Sequence, residues 1–409
     1  MVFAFAGILT NTQSARASAE NPAIGPSDPA PGATLLFPYF EVDLNSPAGV
    51  DTLLTVHNSS ATAILSHVTV WTDLGYPVLT FNAYMTGYDV FSLDMRSALV
   101  DRTLPRTASA GQDPTDTISH KGMFSQDINF ASCNGQLPYA TPILTPAYAA
   151  DLRSLLTGGP ATYLSNKCAA ASHGDSIARG YVTMETVNNC TQRVPNDPTY
   201  FIQDVTYQNV MAGEYFLVDQ GNALMHQGPA VAIDSSYNDP SITTPGAYTF
   251  YGRMNGWDAS DRREPLPTTW AVDTSAERTE AIVWRDPKVQ ITPFNCSNPG
   301  YPAGFPLGQE RTLVFDNQEQ PQAIAATQPF PLVAQRVTLD PPTSGKPAWA
   351  YLGLSFSSVA AGANPPADPL AQQAYVTVLQ YPESGATSTG SGAISLDTGL
   401  AAQHTHPNP

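Results

Sequence analysis

Two histidines and a tryptophan are the first residues of this chain whose types could do chemistry together. His57 lies next to the end of the run TLLTVHN, and His67 sits in ILSHVTVWT, four residues ahead of Trp71. Both runs alternate apolar and polar side chains, the period of a β-strand. If the strands pair so that Leu54 and Val56 share a core with Ile64, Val68 and Val70, the two histidines become diagonal neighbours on the opposite face. Their backbones would then lie about 7–8 Å apart. Imidazoles so placed, with Trp71 beside them, would suit half of a metal site or an acid-sensitive ligand patch. The plainer alternative packs both histidines beneath another part of the chain.

Other candidates are weaker. Ser172-His173-Gly174-Asp175-Ser176-Ile177 contains GDSI, which resembles the nucleophile block of GDSL-type hydrolases. That block needs an apolar strand before it and a helix after it. Here an Ala-rich stretch precedes it and the strand-like RGYVTMETV follows, so a turn is expected. No G-x-S-x-G elbow, P-loop, dinucleotide fingerprint or zinc signature is present. Asp113, Asp116, Asp258, Asp261, Asp316 and Glu319 lie in loop-like stretches whose oxygen ligands would suit a structural calcium ion. No other cofactor is expected. Trp257, in the charged segment NGWDASD, is the best candidate for an exposed sugar-stacking ring. His404 and His406 belong to a polar tail. No residue earns a catalytic assignment, and the metal content is left open.

The elements that must position these residues are strands. Residues 51–96 read as four consecutive antiparallel strands with short turns, and residues 33–42 as an earlier strand whose Pro38 belongs at an edge or bulge. Residues 97–178 break the pattern. Their one good helix is predicted over 146–156, with Thr145 as N-cap, Pro146 as first helical residue, and Ala147, Leu152, Leu155 and Leu156 as its apolar side. Strands resume at 179–187, 215–219, 230–234 and 248–252. After a turn-rich segment at 255–267, further strands fall at 279–285, 311–316, 335–339, 349–356, 375–381 and 393–397.

Short echoes link the halves: TLLTVHN with TLVFDNQ, GYVTMETV with AYVTVLQY, VFSLDM with AISLDT. The expected architecture is all-β: two antiparallel sandwiches of Ig-like or jelly-roll type, with a loop-rich, partly helical, disulfide-pinned insertion. The domains read as 33–254, carrying the insertion 97–178, and 255–398. A Pro-rich linker at 20–32 precedes them and a tail at 399–409 follows.

Composition narrows the class. The 409 residues carry a formal net charge of -17, with 13% charged and 42% hydrophobic residues. So acidic a chain does not suit nucleic acid or anionic lipid, which need basic surfaces. Residues 1–19 pair an apolar run with an A-x-A pattern at Ala17–Ala19, as in a signal peptide. No apolar stretch is long enough for a spanning helix. Four cysteines, Cys133, Cys168, Cys190 and Cys296, fit two disulfides in an oxidising compartment. Three pairings are open, and Cys133–Cys168 with Cys190–Cys296 is preferred.

LLFPYFEVD, HVTVWTDLGYPVLTFNAYMTGYDVFSLDMR, ARGYVTMETVNNC, YTFYGRMNGW, EAIVWRD and LGQERTLVFD together resemble an uncharacterised family of exported β-rich bacterial proteins. The resemblance implies export and a framework role for all four cysteines. It carries no activity. The expected function is an exported, non-enzymatic binding or structural protein of the periplasm, cell surface or extracellular space, with a protein or glycan partner. The alternative is a carbohydrate-active enzyme or sugar-binding module.

Overall fold

The computed structural model describes residues 31–106, 143–197, 199–222, 224–233, 235, 266–267, 269–274, 278–286, 291–297, 302, 304–308, 311–316, 318–323, 330–339, 347–354, 374–381, 389–390 and 393–395. Cys133, Trp257, Asp113, Asp116, Asp258, Asp261, His404, His406, the signal-like segment 1–19, the tail 399–409 and the strand expected at 248–252 lie outside them.

The first half holds β1 (Thr34–Asp43), β2 (Val50–Asn58), β3 (Ile64–Thr72), β4 (Pro77–Met85), β5 (Val90–Asp94), helix α1 (Pro146–Leu156), β6 (Ile177–Val187), the helical turn α2 (Tyr200–Gln203), β7 (Met211–Asp219), β8 (Leu224–Pro229) and β9 (Val231–Ile233). The second holds β10 (Thr269–Asp273), β11 (Arg278–Arg285), β12 (Arg311–Asp316), β13 (Pro321–Ala323), β14 (Ala334–Thr338), β15 (Pro347–Gly353), β16 (Ala374–Tyr381), β17 (Thr389–Gly390) and β18 (Ala393–Ser395). They form four antiparallel sheets, ordered β4-β3-β6-β1-β9, β5-β2-β7-β8, β13-β12-β15-β10-β18 and β14-β11-β16-β17. The first packs on the second through β1 against β2 and β7, and the third on the fourth through β10 against β16. The fold is all-β, as expected. One continuous apolar core runs through both halves.

Residues 51–96 do hold four strands, but their expected pairing as consecutive neighbours needs correction. β3 and β4 do form a hairpin, but β2 pairs with β5 and β7 in the other sheet. Burial explains the split. β2 alternates, with one face toward solvent, whereas all nine residues of β3 are buried. A strand buried on both faces needs a sheet covered on both sides, so the chain must cross between layers after Asn58. The Asn58 amide stabilises that crossing by donating to the carbonyls of Thr62 and Thr86, at 2.8 and 2.9 Å. Pro38 falls where the β1–β6 register shifts, between Phe37 and Phe40, because its missing N–H cannot serve the ladder.

Within the insertion, α1 starts as expected. Thr145 Oγ1 accepts the Tyr148 N–H at 3.3 Å, and Pro146 fills the first turn. The buried side is Ala149, Leu152, Leu155 and Leu156, so Ala147 was misassigned. The preferred disulfide pairing is also overturned. Cys168 is bonded to Cys296, and Cys190 is disulfide-bonded too. Cys168 and Phe294 exchange both backbone hydrogen bonds at 2.9 Å, and this long-range pairing places the two sulfurs together. The bridge ties the insertion to the second half.

The halves repeat one pairing scheme. β2 pairs β5 and β7 while β3 pairs β4 and β6; in the same chain order, β10 pairs β15 and β18 while β11 pairs β14 and β16. Register agrees side chain by side chain. Trp71 lies opposite Tyr181 and Trp284 opposite Tyr375, inside the matching words VWTD/VWRD and YVT/YVT. Of the three echoes read from the sequence, only GYVT with AYVT joins equivalent strands. β2 corresponds to β10 rather than β12, and β5 to β15 rather than β18.

The first and fourth sheets meet through β1 and β6 against β11 and β14. Tyr181 stacks on Trp71 (5.5 Å) and meets Trp284 edge-on (5.9 Å) across that contact. Beside them Arg336 donates to Glu41 (2.7 Å), Glu280 (2.6 Å) and the Tyr381 hydroxyl (3.2 Å). Tyr39 donates to Glu41 at 2.7 Å, and Arg278 bonds Glu280. Burial would pull Arg336 down, but Glu41 and Glu280 outweigh it and hold the guanidinium above its ordinary range. Burial likewise pushes Glu280 up, and Arg336, Arg278 and Tyr381 bring it below the usual carboxylate range.

Arg336→Met removes the cation that Glu41 and Glu280 share, leaving Glu41 with Arg179 at 3.6 Å and Glu280 with the largely exposed Arg278. Unfolding stability is expected to fall by about 3 kcal/mol in urea denaturation. Replacing Glu41, Arg336 and Glu280 together by apolar residues should recover most of it. Changing Cys168 and Cys296 to Ala opens a crosslink across 128 residues of sequence. The expected loss is up to about 5 kcal/mol by loop-closure entropy; an unchanged urea midpoint would refute a stabilising role.

Candidate functional site

Strand register assembles a polar row on the first sheet. β3 lies between β4 and β6, and Asn82, His67 and Glu185 stand side by side across them. All three are buried. Buried polar groups survive only with partners, and here the partners come from residues 188–204. That segment, NNCTQRVPNDPTYFIQD, has no apolar period, and its two prolines disfavour helix until Thr199. Asp197 turns the chain by accepting the backbone N–H and hydroxyl of Thr199, at 2.8 and 2.7 Å. Tyr200 and Phe201 then anchor α2 in the core.

The anchoring is specific. The Asn82 amide donates to the Thr191 carbonyl (3.0 Å) and accepts the Thr191 N–H (3.2 Å). Its carbonyl oxygen also lies 3.3 Å from His67 Nδ1, which therefore carries the ring proton. Nε2 is left as an acceptor without a hydrogen-bond partner. The Tyr200 ring packs 5.6 Å from His67, and its hydroxyl donates to Glu185 at 3.1 Å. Burial pulls His67 down to about 4, against the opposing influence of Asn82, Asp204 and the Arg193 backbone.

Anchored on this buried row, the segment itself lines an open depression of ≈ 830 Å³. The amide residues Asn189, Gln192, Asn196 and Gln203 line it together with Arg193, Asp197 and Asp204. Arg193 Nη1 donates to both oxygens of the buried Asp204, at 3.0 and 2.9 Å, and the Thr191 hydroxyl adds a third bond at 3.1 Å. The lining therefore offers amide donors and acceptors around Arg193 and two carboxylates, Asp204 and Asp197, a surface that disfavours anions and suits a polar, hydroxyl-rich ligand.

The candidates read from the sequence do not converge here. His57 is exposed on β2, opposite Val90 and Ala212, in a different sheet from His67. The two histidines are not partners, because β2 and β3 never pair. His67 is buried, and Trp71 is buried too, with its indole N–H on Thr183 Oγ1 at 2.9 Å. Neither offers a ligand surface. Gly174 does sit in a bend, with φ +74°, and His173 meets Asp73 at 2.8 Å rather than a serine. Asp316 accepts the backbone N–H groups of Gln318 and Gln320, closing a turn. Among the described residues no group of three or more His, Cys, Asp or Glu side chains could hold a metal ion, and no helix is long and apolar enough to cross a membrane.

Sequence reasoning missed Asn82, Glu185, Thr191, Arg193, Tyr200 and Asp204. A signal existed in the polar, proline-punctuated segment between two strands, since such loops on rigid scaffolds commonly bind ligands. Searches for relatives found no match to this chain among protein-family models, curated proteins or solved structures.

A pH dependence follows from the buried imidazoles. His226 is also held down to about 4, by burial and by Arg336. Both folded-state values lie below the ordinary 6.5, so their stability contribution is complete above pH 6.5 and is lost as pH falls toward 4. Two protons taken up on unfolding correspond to a slope of about 2.7 kcal/mol per pH unit. Asp51, pushed up to about 6 by burial and Asp94, opposes this by up to one proton between pH 6 and 4. The net expectation is falling stability from pH 6.5 to 4 in urea titrations, reduced in His226→Phe. A flat profile would contradict it.

Proposed function

We propose that the protein is an exported, non-enzymatic binding protein of the cell envelope or extracellular space. Its ligand is a small, hydroxyl-rich molecule such as a short glycan, held in the depression formed by residues 189–204. The observation that carries this reading is the lining itself: amide side chains arranged around the Arg193–Asp204 pair in an open volume of ≈ 830 Å³. Amides present donor and acceptor on one planar group, which matches vicinal hydroxyls. Asp204 spends its oxygens on Arg193 and Thr191. Asp197 likewise accepts the Thr199 N–H and hydroxyl, which hold it below the usual carboxylate range. Neither lining carboxylate is therefore poised as the proton-exchanging acid that glycoside hydrolysis requires, and binding is favoured. The Cys168–Cys296 bond supports export, because structural disulfides persist in oxidising compartments.

The test is titration with a panel of neutral mono- and disaccharides and short glycans, followed by calorimetry or NMR. Saturable binding to at least one sugar is expected. The double variant Gln192→Ala, Asn196→Ala should weaken it at least about tenfold, the effect of two lost hydrogen bonds, with melting temperature unchanged. No binding anywhere in the panel, or binding untouched by the double variant, would sink the proposal.

A further inference from the structure

A second polar cluster lies in the interior, on the inner face of the second sheet. In the β7–β8 ladder Tyr215 stands opposite Gly228 and Leu217 opposite His226. Tyr215 and His226 both point into the core and both have no exposed surface. Their rings meet edge to face at 5.7 Å. A Cβ on Gly228 would come within 2.6–2.8 Å of the Tyr215 ring and hydroxyl, so the phenol is seated against the bare glycine backbone. Neither Tyr215 Oη nor either ring nitrogen of His226 has a hydrogen-bond partner.

Three orphan polar atoms on two touching side chains are unusual in a folded interior. A buried hydroxyl of Ser or Thr can rotate toward weak acceptors, but an imidazole has two fixed directions. Flipping the His226 ring would exchange one unbonded nitrogen for the other. Protonating it would place an unpaired charge in the core, where burial and the nearby Arg336 both disfavour the cation. The Tyr215 phenol stays protonated too, since burial and Tyr375 raise its pKa. Whatever satisfies this pair must therefore be neutral, small, and both donor and acceptor.

We infer that Tyr215 and His226 bind internal water, with one molecule bridging the phenol oxygen and an imidazole nitrogen. Buried water commonly makes about three such bonds to polar groups that lack protein partners. The site is separate from the depression at residues 189–204 and does not depend on its ligand.

Tyr215→Phe tests this, because it removes only the hydroxyl. If that hydroxyl binds water, the melting temperature falls and the count of long-lived internal waters, measured by oxygen-17 relaxation dispersion, drops relative to the unaltered protein. If the hydroxyl has no partner, deleting it leaves the melting temperature unchanged or raises it, and the inference fails. A crystal structure with an organic molecule or ion at the site would also overturn it. Should Tyr215→Phe not fold, the unaltered protein decides: a water within hydrogen-bond distance of both Tyr215 Oη and a His226 nitrogen supports the inference, and its absence from a high-resolution map refutes it.

Discussion

The guanidinium of Arg336, held between Glu41 and Glu280, is the constraint on which the two halves depend. Apolar contact across the junction is ample: Tyr181 stacks on Trp71 and meets Trp284 edge-on there. Such contact is attractive but tolerant of sliding. The charged network is not tolerant, because a carboxylate buried without its cation is costly. Arg336 reaches β1 through Glu41, its neighbour β11 through Glu280, and β16 through Tyr381. Glu280 and Tyr381, in Arg336's own sheet, fix the guanidinium in place, and the docking of the first sheet must then bring Glu41 to it. The Cys168–Cys296 bond adds a covalent tie between the same halves.

That docking makes equivalent positions do different work. His67 and Glu280 occupy matching places on β3 and β11, counting back from Trp71 and Trp284. In the first half the place is roofed by residues 188–204, so the side chain is an uncharged imidazole bonded to Asn82. In the second it faces the junction, so it is a carboxylate that Arg336 neutralises. The next matching pair, Thr72 and Arg285, diverges in the same way. Thr72 donates to one carbonyl, that of Ala169, whereas Arg285 donates to the carbonyls of Phe330, Gly308 and Leu354. One repeated scaffold thus anchors the polar loop 188–204 in one copy and forms a docking face in the other.

The polar depression inherits its rigidity from this arrangement. Its lining is a loop bonded through Thr191 and Tyr200 to the buried Asn82–His67–Glu185 row of a sheet covered on both faces. A binding surface on a loop gains precision when its anchors are buried, since less motion must be frozen when ligand arrives.

The sequence by itself determined the local features. Alternation identified most strands, Thr145-Pro146 marked the start of α1, and Pro38 marked a bulge, because each depends on neighbours a few residues away. Composition and cysteine number pointed to a disulfide-bearing β-protein. Tertiary structure alone decided which strands pair, and there the sequence reading failed. His57 and His67 were placed together on the assumption that consecutive strands form hairpins, but solvent on one face of β2 and protein on both faces of β3 sent them to different sheets. The partner of Cys168 lies 128 residues away, beyond any rule of spacing. The candidate site was illegible for the same reason. Asn82, His67, Glu185 and Asp204 come from four separate stretches, and only strand register and the fold of residues 188–204 make them neighbours.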